Sequence, residues 1–145
     1  MKLVDANVLL YAVHAEARHH TTAVAWLDRA LSSVEGVVLP WISLVAFLRI
    51  STHPAIYPSP LSVDEAFDYV SGWQSSPVVL TVEPDRQHAR RMRELLAETG
   101  SAGNLVNDAH VAALALQYDA TVVTYDNDFS RFPGVRWERP GSGSS

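Results

Sequence analysis

Residues 104–128 read NLVNDAHVAALALQYDATVVTYDND, and this stretch decides the fold. Its first half is rich in alanine and leucine and predicts a helix over residues 104–118, with Asn104 as the expected N-cap. Asp119 and Ala120 alone separate that helix from TVVT at 121–124, a β-branched run that reads as a buried strand. So short a connection folds the chain back, and the helix must run antiparallel to the strand it feeds. Asp108 lies near the start of the helix, while Asp126 and Asp128 follow the strand. Helix start and strand end share one edge, so Asp108 and Asp126 are carried to the same side of the molecule.

The same alternation extends outward. Residues 2–6 form a short apolar strand ending at Asp5, followed by an apolar helix start at 7–13 and an amphipathic helix at 21–31. Gly36 breaks the chain before a strand at 37–39, and Pro40 suits the first turn of a helix running to about residue 51. Three prolines between His53 and Pro60 mark an irregular connection. Ser62 followed three residues later by Glu65 is a capping-box pattern, opening a helix to about Trp73. Residues 78–82 read as a third strand, and Pro84 as the start of a charged helix to about residue 99. A short turn at 128–132 leads to a last strand near 135–137. Residues 141–145, Gly and Ser only, read as a flexible tail.

Short strands that are apolar on both faces, alternating with helices, predict an α/β fold. The expectation is a single three-layer domain over residues 1–140, with a parallel sheet of four to five strands flanked by helices. Right-handed crossovers place all strand carboxyl ends along one edge, where open α/β sheets bind ligands. Asp5, at the end of the first strand, therefore joins Asp108 and Asp126, and three separate segments deliver a carboxylate to one place.

Composition narrows the chemistry. The chain has 145 residues, 48% hydrophobic, which suits one domain with a sizeable core. There is no cysteine, which removes disulfides, thiolate metal sites and cysteine nucleophiles and fits a reducing cytoplasm. The longest apolar stretch, residues 37–50, is broken by Pro40, Ser43 and Arg49, and no membrane span or signal peptide is expected. A net charge of −5 argues against a nucleic-acid partner unless the carboxylates serve to bind cations. Ten of the eleven basic residues are arginine, leaving Lys2 as the only lysine.

Crowded carboxylates repel one another, and protonation or a bound cation relieves them. Oxygen-only ligands favour Mg²⁺ or Mn²⁺, and such a site activates water and stabilises charge on phosphate oxygens. Each acid also has an ordinary explanation: Asp126 and Asp128 as turn residues or a helix cap, Asp108 as compensation of a helix dipole. The metal reading rests on their convergence.

Three blocks carry a further signal: LVDANVLLYA at 3–12, GNLVNDAHVAALA at 103–115 and TVVTYDNDFSRFPGV at 121–135. Together, and in this order, they resemble the signature blocks of PIN-domain ribonucleases, closest to the VapC-type toxins of bacterial toxin–antitoxin pairs. The resemblance implies metal-binding acids at Asp5, Asp108 and Asp126, with Asp128 as a frequent addition. It also implies Mg²⁺- or Mn²⁺-dependent endonucleolytic cleavage of RNA (tRNA or ribosomal RNA), a VapB-type antitoxin partner and a homodimer. Where the family carries an acid three residues before an arginine, this chain has Ala46 ahead of Arg49. That departure opens a rival reading, a degenerate non-catalytic PIN-like binding module. Asp128, a water or the remoter Glu83 is then the candidate to fill the place.

The surrounding residues have assigned expectations. Thr124 either offers its hydroxyl to the metal or is a β-branched strand residue, and Asn7 either orients Asp5 or, the safer reading, caps a helix. Arg49 and Arg131 are candidate phosphate contacts near the acidic edge. Arg86, Arg90 and Arg93 share a helix face that reads as solvated, and His110 reads as a hydrogen-bonded packing residue. Trp26, Trp41, Trp73 and Tyr57 are core or interface aromatics. A phosphatase or phosphoacceptor domain also puts aspartates at parallel-strand ends. Those classes need an acid where Asn7 stands or a lysine near the site, and Lys2 begins the first strand, away from that edge. Neither GxGxxG nor GK[ST] occurs, which leaves nucleotide binding without a motif.

Overall fold

The computed structural model describes residues 1–141, so the expected tail at 141–145 lies, beyond Gly141, outside the described residues. At its centre is β1 (Lys2–Val4), followed by α1 (Ala6–Val13) and α2 (His20–Leu31). Then come β2 (Val37–Val38), α3 (Trp41–Ser51), α4 (Val63–Gln74), β3 (Val79–Leu80) and α5 (His88–Ala97). A 3-10 turn over Gly103–Leu105 leads into α6 (Val106–Gln117), β4 (Thr121–Val123), a second 3-10 turn over Asn127–Arg131, and β5 (Trp137–Glu138).

The sheet has five strands in the order β3-β2-β1-β4-β5, and every pair is parallel. Alternating side chains divide the core between its two faces. Leu3, Val38 and Val122 pack with α5 and α6, whereas Val4, Val37 and Val123 pack with α1 to α4. This is the expected three-layer α/β arrangement. The chain moves outward from β1 to β2 and β3 on one side, then returns to place β4 and β5 on the other. The strand order therefore reverses between β1 and β4, which makes their carboxyl ends the topological switch point where open α/β sheets hold ligands. No helix among the described residues is long and apolar enough to cross a membrane.

Several boundaries differ from expectation. The charged helix starts at His88 rather than Pro84. The Asp85 amide donates to Gln117 Oε1 at 3.0 Å, and the Glu83 carbonyl accepts from Gln117 Nε2 and Tyr118 Oη, at 3.0 and 2.9 Å. Those bonds tie 83–85 to the end of α6 and keep it out of a helix. Arg86 consequently precedes α5, and the expected arginine stripe shrinks to Arg90 and Arg93. Arg91 pairs with Asp85 at 2.6 Å. Asn104 sits inside the 3-10 turn and makes no capping bond. The last strand begins at Trp137 because Val135 closes a turn onto the Phe132 carbonyl. The Ser62–Glu65 capping box is formed in both directions, with bonds of 3.0 and 3.1 Å.

Candidate metal centre

β1 ends at Val4, and the next residue, Asp5, caps α1: its Oδ1 accepts from the Ala6 amide at 2.9 Å. The cap expected at Asn7 is thus Asp5 itself. Asn7, one residue further into the helix, turns its amide back to Asp5 Oδ2 at 3.3 Å and to Thr124 Oγ1 at 3.0 Å. Across the switch point, fully buried Thr124 donates to Asp5 Oδ2 at 2.8 Å and accepts from the Asp126 amide at 3.0 Å. Asp126 in turn caps the second 3-10 turn, its Oδ1 accepting from the Asp128 amide at 2.8 Å.

From the other layer, Asp108 projects out of the first turn of α6. One carboxylate oxygen each from Asp108, Asp126 and Asp128 lie within 4.8 Å of one another. Asp5 borders this trio. Its charge acts on Asp108, and Asp126 acts on it in return.

The electrostatics record the crowding. The Asp108 carboxyl is pushed up to about 7, first by burial, then by the neighbouring charges of Asp126 and Asp5, a hydrogen bond with Asp126, and Asp128. Burial also raises Asp5, partly offset by the hydrogen bonds from Thr124 and the Ala6 amide. An oxygen-only trio of carboxylates this close together fits a hard divalent cation of the Mg²⁺ or Mn²⁺ kind. No histidine or cysteine joins it among the described residues.

Other expected residues fall at varying distances from the centre. Ser43 on α3 donates to the Val4 carbonyl at 2.7 Å, so this face of the helix passes the end of β1. Ala46, one turn further along, carries no acid there. Arg49 is exposed in the last turn of α3, one turn beyond Ala46. Arg131 ends the 3-10 turn that bears Asp128 and donates to the Thr99 carbonyl at 3.3 Å. Glu83 is exposed and outside the trio. His110 meets His88 ring to ring, Nδ1 to Nε2 at 2.8 Å, in the packing role expected of it. Trp73 is core, Trp41 is exposed, and Lys2 pairs with Glu138.

Spacing gave no hint of a ring cluster flanking the centre. His19 stacks on Tyr125 with centroids 4.3 Å apart, and Tyr11 leans on Tyr125 at 5.3 Å. The Tyr125 hydroxyl shares a 2.6 Å hydrogen bond with Thr22. These contacts pin α1 and α2 to the loop after β4. Tyr125 beside Asp126 was the only available sign of them.

A doubly wound sheet whose switch point gathers carboxylates from β1, α6 and the end of β4 defines a class. A model of the PIN domain matches residues 2–135, and the chain belongs to that family. Within it the chain groups with the VapC ribonucleases. Ribonuclease VapC37 of Mycobacterium tuberculosis is 46% identical over 140 residues, 97% of each chain. Ribonuclease VapC31 of the same species is 36% identical across 97% of this chain and 99% of its own. The crystal structure of VapBC2 from Rickettsia felis bound to a DNA fragment from their promoter matches with a TM-score of 0.69. It covers 95% of this chain and 97% of that one at 17% identity, a likeness of fold. The resemblance carried by the three sequence blocks is borne out.

Proposed function

We propose that the protein is a divalent-metal-dependent endoribonuclease, the toxin of a toxin–antitoxin pair, which cleaves tRNA or ribosomal RNA to arrest growth. The observation that carries this reading is the meeting of Asp108, Asp126 and Asp128 at one point beside Asp5. The ribonuclease names of relatives spanning nearly the whole chain support it. Asp108, Asp126 and Asp128 would hold Mg²⁺ or Mn²⁺, with Asp5 at their border. A bound cation supplies positive charge for the phosphate oxygens and acidifies the attacking water.

The chain's own residues do the rest. Asp126 holds Asp128 through the turn it caps, which aims both carboxylates into the centre. Burial and the neighbouring acids push the Asp108 carboxyl up to about 7, so a cation bound there would draw off its proton. Arg131, at the rim on the same turn, is the candidate phosphate contact. Cytoplasmic location, a VapB-type antitoxin and a homodimer belong to the same proposal.

Ala46 supports the second reading, a PIN-like module that binds without cutting. One experiment separates them. Purified protein free of antitoxin is incubated with total RNA and Mg²⁺ or Mn²⁺. Cleavage that EDTA stops and Asp5→Asn abolishes establishes the enzyme. RNA or partner binding without cleavage establishes the module. In cells, Asp126→Asn removes growth inhibition on expression and His110→Ala retains it.

A further inference from the structure

A threonine hydroxyl has one proton to give and two lone pairs to receive with. At Thr124 all three are committed. The proton goes to Asp5 Oδ2 at 2.8 Å, and the lone pairs take Asn7 Nδ2 and the Asp126 amide, each at 3.0 Å. The side chain is fully buried. It has no lone pair left for a cation, so it does not act as a ligand.

Asn7 is similarly occupied. Its Oδ1 accepts from the Tyr125 amide at 3.0 Å, which fixes the amide orientation, and its Nδ2 donates both to Asp5 and to Thr124. Asp5 receives three donors, at 2.8, 2.9 and 3.3 Å, which fill three of its roughly four lone-pair sites. One closed circuit thus runs from the first turn of α1 to three successive residues after β4.

We propose that Asn7 and Thr124 are positioning residues that set the separation of Asp5 from Asp126 and thereby the cation affinity of the centre. The inference rests on the metal reading above and adds to it a mechanism for holding unlike segments in register. Both residues act through others. Thr124 fixes the Asp126 backbone, from which the 3-10 turn and Asp128 hang, and Asn7 fixes the Asp5 carboxylate. Neither touches the cation. A valine at position 124 would keep the shape of the side chain and its packing while deleting the whole circuit through the hydroxyl.

The test is Mn²⁺ titration by calorimetry, with folding followed by circular dichroism and thermal unfolding. Thr124→Val is expected to weaken Mn²⁺ binding about 10- to 100-fold, the usual effect of removing a partner of a metal ligand. Thr124→Ser, which keeps the hydroxyl, binds like wild type, and Asn7→Ala weakens binding in the same direction. Val122→Ala serves as a control that loosens β4 without touching the circuit, and its Mn²⁺ affinity stays that of wild type. Should Thr124→Val fail to fold, Asn7→Ala alone decides. If the folded variants bind Mn²⁺ as tightly as wild type, or if serine does not restore binding, the positioning role is overturned. If wild-type protein binds no Mn²⁺, the metal reading itself falls, and the inference with it.

Discussion

The protein without metal should be least stable at the pH where its acidic centre is fully charged, and Asp108→Asn should remove that weakness. The Asp108 carboxyl is raised from its ordinary 3.8 to about 7 by burial and by its acidic neighbours. Because the raised value belongs to the folded state, the native protein binds more protons than the unfolded chain between those two values. The Asp108 contribution to stability is therefore full below pH 4, falls as the pH rises towards 7, and levels off above it. At about 1.4 kcal/mol per unit, three units amount to about 4 kcal/mol, and solvent screening of a half-buried group reduces this to about 2 kcal/mol. In a chain of this size that is about 6 °C in Tm. Thermal unfolding in EDTA at pH 4 and pH 8 reads it directly. Asp108→Asn should raise Tm at pH 8 by about that amount and leave it nearly unchanged at pH 4. Adding Mg²⁺ at pH 8 should stabilise wild type by about 2.7 kcal/mol at a hundred times Kd, raising its Tm, and leave the variant unmoved. An Asn variant no more stable than wild type at pH 8, or equally stabilised at both pH values, would refute the electrostatic account of the centre.

Ser62→Ala removes one arm of the capping box and should lower stability by about 1 kcal/mol in urea unfolding with no change in m-value. Phe129→Ala empties a fully buried site inside the turn that carries Asp126 and Asp128. It should cost about 3–5 kcal/mol and weaken Mn²⁺ binding as well, measured by denaturation and by calorimetry. Ala46→Glu adds a carboxylate on the face of α3 that passes the end of β1. It should tighten Mn²⁺ binding while lowering Tm in EDTA, because a further like charge enters a group already reluctant to ionise.

The fold could be read because it depends on local pattern. TVVT at 121–124 and the short turn before it dictate antiparallel helix and strand whatever surrounds them, and the capping box at Ser62 states its own helix start. Boundaries set by distant partners were not legible. Nothing within residues 83–87 shows that Gln117 and Tyr118 will hold Glu83 and Asp85 extended, so Pro84 looked like a helix start. The site divides the same way. Asp5, Asp108 and Asp126 could be placed on one edge from topology, whereas Asp128 entered through the family resemblance. The roles of Asn7 and Thr124 could not, because their bonds join residues 117 to 119 positions apart, and a helix cap is the better local guess for an Asn beside a strand end.

The vacancy at Ala46 and the circuit through Thr124 bear on one question, how a centre this acidic stays assembled before a cation arrives. Each added carboxylate makes the folded protein without metal less favourable, and Asp108 already shows the strain. A chain with alanine on the α3 face carries one charge fewer there. The carboxylates that remain carry less mutual repulsion for a cation to offset. They are held by donors instead: Asp5 by Ala6, Asn7 and Thr124, and Asp126 through its own amide on Thr124. Neutral donors stabilise a carboxylate without occupying the space between it and its neighbours. Asp5 and the Asp126 backbone are therefore fixed by groups lying behind the carboxylates. On this argument the affinity of the centre is set less by the number of acids than by the rigidity of their backing. The Ala46→Glu and Thr124→Val variants separate those two influences, since one changes charge with the backing intact and the other changes backing with the charge intact.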